Sequence, residues 1–526
     1  MSRDSGFYDA STQGAMKPFA TFALLYMTAI FLELSEKWRH PGFTAALLGL
    51  VVVLLVTRLT RVTFLVFLAV TTAHFVGVQF PDVANHVNLM IYCNVVMMTA
   101  IGYSLVRPGA VRSDDDWFVL VRPILQVTLI LVYFLAGFHK LNADFVNPDV
   151  SCVRSTLQSL WTMVRGRVVG VPTVALLVVG TGAVAYGLFR GSPLRRQLPR
   201  LGVAALAVTL LVVVALSAPT GGALSPTSPW VVLPMVALII LWEVVGGPML
   251  AVPALQLPVM VFSWAMHASL ALINFVDFGS LALALLFTFV PPAYQELVGE
   301  RVRVPLIRRL VPRPILYFAL CVVVGLVNAR SRVGAGLLFN GAALILLWPM
   351  LAAFLGRRPR PAWPGVPLAS PLTPRWLFVF PVLLVLHAST SYVGLRTAGN
   401  FSMFSNLRTE GERSNHFLLA RNPLKVWGYQ EDAVRFLQID DRQANIGYQY
   451  QRLQGQSLPV VEFRKLVYLW TRAGRTVPMT IEYQGAVYST ADIVHEPAWR
   501  TMRRDWEMRL LDFRSIQSDA PNRCRW

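Results

Sequence analysis

The sequence predicts a polytopic α-helical membrane protein, with about 11–13 transmembrane helices and a small C-terminal extracytoplasmic α+β domain. Of the 526 residues, 55% are hydrophobic and only 14% are charged, whereas a soluble protein carries about a quarter charged residues. Apolar runs long enough to cross a bilayer recur from the N-terminus to about Gly394. The remainder has ordinary polarity and the length of a separate domain.

Apolar spans follow one another along the chain, and polar or Pro- and Gly-rich joints separate them. The spans lie near residues 16–34, 41–57, 62–80, 86–106, 117–138, 170–189, 201–217, 229–245, 249–266, 269–290, 314–328, 334–354 and 377–393. We divide the chain into a transmembrane unit over residues 1–295, additional transmembrane helices over 296–396 and the C-terminal domain over 397–526.

The distribution of Lys and Arg predicts the orientation in the membrane. With the N-terminus in the cytoplasm, the inner loops are rich in arginine, namely those at residues 58–61, 107–112, 190–200, 301–313 and 357–360. The outer loops near 81 and 219–229 contain neither Lys nor Arg, although the outer segment 139–169 does. The positive-inside rule therefore predicts a cell-membrane protein whose C-terminal domain lies outside. The net charge of +19 then indicates anionic membrane lipid as a partner, not nucleic acid.

Four ionisable residues meet near the outer leaflet in this orientation: His74, His86, Lys140 and His267. Ionisable groups at that depth are costly, and their convergence predicts a functional site. The alternative for Lys140 is a snorkelling side chain that marks the end of a helix. His74 is interpreted as core packing. Glu243, inside an apolar span, must be paired or face a cavity, and structural pairing is favoured over catalysis.

Three sequence blocks carry a resemblance to a known family. Residues 133–145 read Y-F-L-A-G-F-H-K-L-N-A-D-F, residues 85–92 read N-H-V-N-L-M-I-Y, and residues 262–291 contain His267 before a Phe-rich run and two prolines. The chain resembles the vitamin K-dependent γ-glutamyl carboxylase family and its bacterial relatives with a horizontally transferred transmembrane domain, mainly over residues 15–295. The composition, rich in Ala, Val and Arg, indicates a high-GC bacterium, in which menaquinone is the available quinone.

The resemblance implies a quinol-dependent carboxylase and epoxidase. In that family a lysine deprotonates reduced vitamin K, O₂ and CO₂ are co-substrates, a protein glutamate is carboxylated, and quinone epoxide is the co-product. Here the base would be Lys140, acting on menaquinone hydroquinone, with a secreted glutamate-containing protein or peptide as the possible partner. The remaining candidates are His86 and His267 as catalytic residues, and Asn85, His139 and Asn274 as contacts of the quinone.

The sequence also bears on a metal site and on two other classes of protein. His74 and His86 are too far apart in sequence for neighbouring ligands on one helix, and HExxH and CxxC motifs are absent, so no metal is predicted. A lipid-linked glycosyltransferase, with Glu33 and Glu36 as its acidic residues, remains an alternative. A non-enzymatic transporter or assembly protein is another, although no internal repeat is evident.

Several predictions concern the outer segments. Residues 151–168 are amphipathic, which predicts either an interfacial or re-entrant helix that covers the site or an ordinary loop helix. Residues 403–410 are predicted to pack onto the outer helix ends. In the C-terminal domain we predict strands over 460–470 and 478–493, with a turn at Gln484-Gly485, and a closing helix over 497–516. Cys152 and Cys524 are the one cysteine pair placed outside the membrane. They could form a disulfide, which nothing in the sequence requires.

Overall fold

The computed structural model describes residues 15–36, 40–80, 84–168, 225, 227–304, 306–354, 363–411, 413–421, 424–445, 452–500, 506–517 and 521–524. Two predicted spans, 170–189 and 201–217, lie outside the described residues. In the part that is described, seven helical segments are long and apolar enough to cross a membrane, and four shorter apolar helices accompany them. The protein is thus a helical membrane protein with a small sheet region.

The bundle contains fourteen helices in the part of the chain that the structure describes. Its first part contains α1 (Pro18–Glu36), α2 (Pro41–Thr57), α3 (Arg61–His74), α4 (Asn85–Val106), α5 (Asp114–His139), α6 (Ala143–Val146) and α7 (Cys152–Val168). Its second part contains α8 (Pro229–Leu241), α9 (Gln256–Ala271), α10 (Val276–Leu286), α11 (Pro292–Gly299), α12 (Arg313–Asn328), α13 (Arg332–Phe354) and α14 (Val379–Ala388). A hairpin of β1 (Arg301–Val304) and β2 (Arg309–Pro312) precedes α12.

Helix α1 occupies the centre of the bundle. In its apolar window, 89% of the residues are buried, and α10 and α12 pack along it. A helix that is hydrophobic on all sides is stable only where apolar groups surround it. This burial explains why α1 shows no polar face in the sequence.

Helix α5 begins at a capping box and ends at the candidate lysine. Ser113 Oγ accepts a hydrogen bond from the backbone N–H of Asp116, whose carboxylate accepts one from the Ser113 N–H, each at 3.0 Å. Three aspartates fill the first turn, where negative charge favours the positive end of the helix dipole. The last helical residue is His139, and Lys140 is the C-cap.

Helices α5 and α8 cross at very short range. Helix α8 is prolonged by a π-helical turn, Trp242–Gly246, and by the short turn Gly247–Met249. A Cβ atom added to Gly137 would lie 2.7 Å from Cβ of Glu243, so only glycine permits this approach. The π-helical turn carries Glu243, and such turns frequently occur at functional sites. The crossing therefore brings Glu243 against the last turns of α5.

The joint between α9 and α10 corrects one predicted boundary. The sequence places His267 at a joint between the spans 249–266 and 269–290, but α9 continues to Ala271 and His267 lies inside it. The chain turns at residues 272–275, where Asn274 adopts a left-handed conformation with φ 86°. An asparagine tolerates this conformation better than most residues, so the turn between the two helices forms after Ala271 and not at His267.

The C-terminal domain is built on an antiparallel sheet in the order β4-β3-β5-β6. Its elements are β3 (Ala433–Ile439), α15 (Asp441–Ala444), β4 (Ser457–Pro459), α16 (Val460–Arg472), β5 (Met479–Tyr483), β6 (Ala486–Thr490) and α17 (Trp506–Leu510). Strands β5 and β6 confirm the predicted hairpin over 478–493. Gln484 and Gly485 both have positive φ, 50° and 77°, as a two-residue hairpin turn requires.

Two predictions for this domain are wrong. Residues 460–470 belong to helix α16. Its buried residues recur at helical spacing, namely Phe463, Leu466, Val467 and Trp470. The valine pair and the aromatic residues at its ends favour a strand, which explains the wrong prediction. The predicted helix over 497–516 is helical only at Trp506–Leu510 in its described residues. Residues 511–515 instead form an extended segment that packs beneath α16, where Phe513 N–H donates to Glu462.

Candidate functional site

A buried ion pair lies where α5 ends. Lys140 Nζ lies 2.7 Å from Oε2 and 3.0 Å from Oε1 of Glu243, and it donates a 3.3 Å hydrogen bond to the carbonyl of Ala136. The side chains of Lys140 and Glu243 are only 4% and 11% exposed. The ion pair expected for Glu243 is therefore present, and its partner is the candidate base. A lysine held in this way does not snorkel to a membrane surface.

This ion pair forms part of the wall of a large cavity. The cavity has a volume of about 330 Å³ and is lined by α5, α7, α8, α9 and the start of α10. Most of its lining is apolar, including Tyr133, Trp242, Phe262, Met266, Phe278 and Phe404. A mainly apolar pocket with a few polar groups is typical of a binding site for a small organic molecule.

His267 approaches the cavity through a tyrosine. Its Nε2 lies 2.8 Å from the hydroxyl of Tyr133, and Tyr133 is part of the cavity wall together with Lys140. His267 itself is 2% exposed, and its ring packs edge-on against Phe278 at 4.9 Å between centroids. The geometry gives His267 a role in orienting the Tyr133 hydroxyl.

His86 belongs to a second polar cluster, on the other side of Phe278. Its Nε2 lies 2.8 Å from Oε2 of Glu33 and 2.7 Å from Oδ2 of Asp277. The ring of Phe278 contacts His86 at 6.0 Å between centroids and also lines the cavity. His86 is not part of the cavity lining, and its imidazole nitrogen faces the two carboxylates.

The remaining candidates have structural partners. Asn85 Oδ1 accepts a 2.6 Å hydrogen bond from the backbone N–H of Phe401, and Asn274 Nδ2 donates one of 2.6 Å to Glu36. His139 is fully buried, with its ring 5.6 Å from that of Tyr392. Lys140 therefore lines the cavity directly, and His267 contacts Tyr133, which lines it. Asn85 and Asn274 form hydrogen bonds at helix junctions instead. His74, interpreted as core packing, stacks on Phe43 at 3.9 Å.

The segment 397–416 covers this end of the bundle, which we call the capped end. Asn142 Nδ2 donates to the carbonyl of Ser405 at 2.6 Å, and Asn406 Oδ1 accepts from the N–H of Cys152 at 2.8 Å. Met403 and Phe404 complete the cavity wall. The predicted packing of residues 403–410 onto the helix ends is confirmed for residues 403–406.

Backbone strain accompanies the cap. Phe401, Phe404 and Asn406 have φ angles of 63°, 54° and 52°. Positive φ angles are unfavourable for residues other than glycine, although asparagine tolerates them better than phenylalanine does. Such strain persists only where the surroundings hold it and often occurs at binding sites. Here the ring of Phe404 packs edge-on against that of Phe275 at 5.3 Å, which fixes one side of the cavity.

Two further contacts fasten the cap. Cys152, at the start of α7, forms a disulfide with Cys524 near the C-terminus. The sequence allows this disulfide but does not require it. His416 Nε2 lies 2.9 Å from the carbonyl of Phe138, and its Nδ1 accepts from the N–H of Leu418 at 3.2 Å. These partners require a neutral ring with the proton on Nε2. Burial favours the same form, because it lowers the pKa of His416.

The sequence identifies Lys140 as a candidate, but it does not identify Glu243 as the residue that pairs with it or Tyr133 as part of the same site. Glu243 carried a usable signal, because an acid in an apolar span must be paired. Its partner is 103 residues away, and no local pattern connects the two. Tyr133 stands at the start of the lysine block, and on helix α5 it lies about two turns before Lys140, on the same face. That spacing could have identified it.

Comparisons of the chain with protein-family models, with curated proteins and with solved structures found no match. The chemistry is therefore argued from the site. An amine and a carboxylate share a proton at the edge of an apolar cavity, and a tyrosine hydroxyl backed by histidine lines the same cavity. This arrangement can bind an apolar molecule and exchange a proton with its polar head.

Proposed function

We propose that this protein is a membrane enzyme that deprotonates a reduced vitamin K-type quinone, menaquinone hydroquinone, for reaction with O₂. The observation that carries the proposal is the buried Lys140–Glu243 pair on the wall of an apolar cavity. The resemblance of residues 133–145 to the carboxylase family supports the same assignment for Lys140. A coupled carboxylation of protein glutamate by CO₂ is the second part of the proposal.

The cavity residues suit a prenylated quinol. Aromatic and aliphatic side chains match a flat bicyclic ring and an isoprenoid tail, and the ion pair offers a polar partner for one hydroxyl. Trp242 Nε1 is buried, and within the described residues it has no hydrogen-bond partner. A buried donor without a partner is costly, and a ligand oxygen would satisfy it. The residues present therefore fit the quinol.

Lys140 acts as the base in this proposal. A lysine accepts a proton only when it is neutral, and burial in a low-dielectric site favours the neutral form. Transfer of the shared proton from Nζ to Oε1 of Glu243, the oxygen that accepts the Lys140 hydrogen bond, leaves a neutral amine. That amine takes the proton from the quinol hydroxyl, and the new ammonium balances the negative charge left on the quinol oxygen. Glu243 keeps the first proton, so no charge is created or lost.

Tyr133 and His267 hold the other polar point of the cavity. The Tyr133 hydroxyl, held by Nε2 of His267 at 2.8 Å, can donate to a second oxygen of the bound ring and fix its orientation. When bound, a reduced quinone and O₂ together supply the base strength that removes a γ-proton from glutamate, with quinone epoxide as co-product. The cap over residues 397–416 would exclude bulk water from that step.

The acidic residues that a lipid-linked glycosyltransferase would use are engaged elsewhere. Glu33 accepts from His86 at 2.8 Å, and Glu36 accepts from Asn274 at 2.6 Å. Alanine at Glu33 and Glu36 would abolish activity if the protein were such a transferase. Under our proposal, loss of activity is instead expected when Lys140 is replaced.

The location proposed is the cell membrane, with the capped end facing outside. The arginine-rich loops support this orientation. The Cys152–Cys524 disulfide at the capped end supports it independently, because disulfides persist in oxidising compartments. A reporter that is active only outside the cytoplasm, fused after Trp526, is expected to be active. An inactive fusion that is well expressed would reverse the orientation.

The deciding experiment is an epoxide assay. Purified protein in lipid nanodiscs is incubated with menaquinone hydroquinone and O₂, and quinone epoxide is measured by mass spectrometry, with and without CO₂ and a Glu-containing peptide. We expect epoxide from the wild type and none above background from Lys140→Ala. Equal epoxide from both proteins would refute the role of Lys140, and no epoxide from either would refute the proposed reaction.

A further inference from the structure

Three side chains from distant parts of the sequence converge at the capped end. Glu33 comes from the last turn of α1, His86 from the first turn of α4, and Asp277 from the first turn of α10. One potential ligand atom from each lies within 4.8 Å of the others. This cluster is separate from the Lys140 cavity, and the argument below does not depend on the proposed function.

The contacts in the cluster are not those of a simple hydrogen-bonded pair. Both carboxylate oxygens approach the same imidazole nitrogen, Glu33 Oε2 at 2.8 Å and Asp277 Oδ2 at 2.7 Å. A ring nitrogen carries at most one proton, and Glu33 is the hydrogen-bond partner. Asp277 Oδ2, on a residue that is 1% exposed, lies off the direction of a hydrogen bond to that nitrogen. All three ligand atoms lie within 4.8 Å of one another, a spacing at which one ion can contact all of them.

The numbers of acidic and basic groups also leave room for a cation. Two ionised carboxylates carry two negative charges, whereas one imidazole supplies at most one positive charge. Among the described residues, His86 is the one basic side chain within ion-pair distance of Glu33 or Asp277. Uncompensated buried charge is strongly unfavourable. A bound cation would remove this cost and would satisfy the carboxylate oxygens.

The spacing and the ligand types define the cation. Ligand atoms about 2.1 Å from one ion and at right angles to each other lie about 3 Å apart, close to the separations of 2.7 and 2.8 Å. One imidazole and two carboxylates form a mixed nitrogen and oxygen set, which suits Mn²⁺, Fe²⁺ or Zn²⁺ better than Ca²⁺ or Cu⁺. Glu33 and His86 are 8% and 12% exposed, so an ion can enter.

The geometry points to a binding site for a first-row divalent cation formed by Glu33, His86 and Asp277. Three protein ligands leave coordination positions for water. The ion ties together α1, α4 and α10 at the capped end, next to Phe278 in the cavity wall. It also gives His86 a different role from the one that the family resemblance implies, because Nε2 becomes a metal ligand.

The test measures metal binding directly. Full-length protein is treated with EDTA, exchanged into metal-free buffer and titrated with Mn²⁺, and binding is followed by electron paramagnetic resonance. Metal content after loading with Zn²⁺ is measured by mass spectrometry. We expect about one equivalent of ion per chain and a higher Tm with Mn²⁺ than in EDTA. An isosteric replacement of one ligand residue, Asp277→Asn or Glu33→Gln, should reduce the occupancy of the site by the metal ion at least tenfold.

Glu243→Gln is the matched control, since it neutralises a buried carboxylate outside the cluster. It should bind Mn²⁺ like the wild type, whatever happens to quinol oxidation. The variants Asp277→Asn and Glu33→Gln are checked for folding by their elution as single species and by their Tm in EDTA. Occupancy well below one equivalent in the wild type would overturn the site and leave a proton shared by the two carboxylates. Undiminished binding in Asp277→Asn would overturn it as well.

Discussion

Lys140 Nζ and Glu243 Oε2 lie 2.7 Å apart, although 103 residues separate them in sequence. The contact depends on the close crossing of α5 and α8 at Gly137, where an added Cβ atom would collide with Glu243. A side-chain pair at such a crossing has little freedom, and its atoms are held against the cavity. That rigidity is what a general base needs, since proton transfer requires hydrogen-bond reach.

A double-mutant cycle separates the chemical role of this pair from its structural role. Lys140→Met leaves Glu243 buried without its partner, so we expect a loss of about 3–5 kcal/mol of stability and of about a hundred- to ten-thousand-fold in quinol oxidation. Glu243→Gln keeps the amine and should lose less rate. Lys140→Met/Glu243→Gln should regain much of the stability and stay inactive. Thermal unfolding and epoxide formation provide the two measurements, and recovered activity in the double variant would show that Lys140 is not the base.

A second prediction concerns Tyr133 and His267. Tyr133→Phe keeps the ring in the cavity wall and removes only the hydroxyl. His267→Gln removes the group that orients that hydroxyl. Because the two residues act through one hydrogen bond of 2.8 Å, the combined variant should lose no more rate than either single variant. Steady-state kinetics with menaquinone hydroquinone check this expectation, and fully additive losses would mean that the residues act independently.

The sequence predicts those features that depend on local patterns. Apolar runs locate the helices, and the polar residues at their ends place His86 at the start of α4 and Lys140 at the end of α5. The hairpin at Gln484-Gly485 follows from its turn residues. Helix α16 was mistaken for a strand because valines and aromatic residues favour strands, whereas its buried positions recur with helical spacing.

Features that depend on tertiary contacts could not be predicted in this way. Glu33, His86 and Asp277 come from three helices, so no short spacing of metal ligands in the sequence reveals them. The turn between α9 and α10 forms at residues 272–275, with Asn274 in a left-handed conformation, so His267 lies inside α9 and not at the predicted joint. Disulfide pairing likewise depends on where the chain end returns, and Cys524 is 372 residues from Cys152.

A third prediction tests whether the cavity binds the quinol. Ala265 lies on α9 and lines the cavity, so a tryptophan there would occupy space that the quinol requires. We expect Ala265→Trp to raise the KM for menaquinone hydroquinone and leave the fold intact. The control is Val66→Trp, at a position of α3 that is 52% exposed and is not part of this cavity wall. An unchanged KM in Ala265→Trp would place the substrate elsewhere.

A fourth prediction concerns pH. The pKa of His416 in the folded protein is lower than its usual value, so the unfolded chain binds a proton that the folded chain does not. His416 therefore contributes stability above the usual histidine pKa of about 6.5, and this contribution is lost as the pH falls toward the folded value. Comparing Tm at pH 5 and pH 7.5 should show a smaller decrease for His416→Gln than for the wild type. An identical decrease in both would assign the pH dependence to other groups.

The last prediction addresses the cap. Deleting residues 411–526 removes His416, Asn522 and Cys524, which bind Phe138, Asp144 and Cys152 at the helix ends. We expect the truncated protein to insert and still bind menaquinone, because α5, α8 and α9 form most of the cavity wall. Productive turnover should be lost, because water would reach the basic site.

A milder variant separates loss of the cap from loss of the fold. Cys152→Ser/Cys524→Ser keeps every residue of the domain and breaks only the covalent link, which typically contributes about 2–5 kcal/mol. Its turnover at low temperature should remain near that of the wild type, while its Tm falls. Menaquinone binding is measured by quenching of the fluorescence of Trp242 and the other tryptophans, and turnover by epoxide formation. If the truncated protein formed epoxide at the full rate, the cap would not protect the reaction, and the C-terminal domain would be better explained as a docking module for a partner.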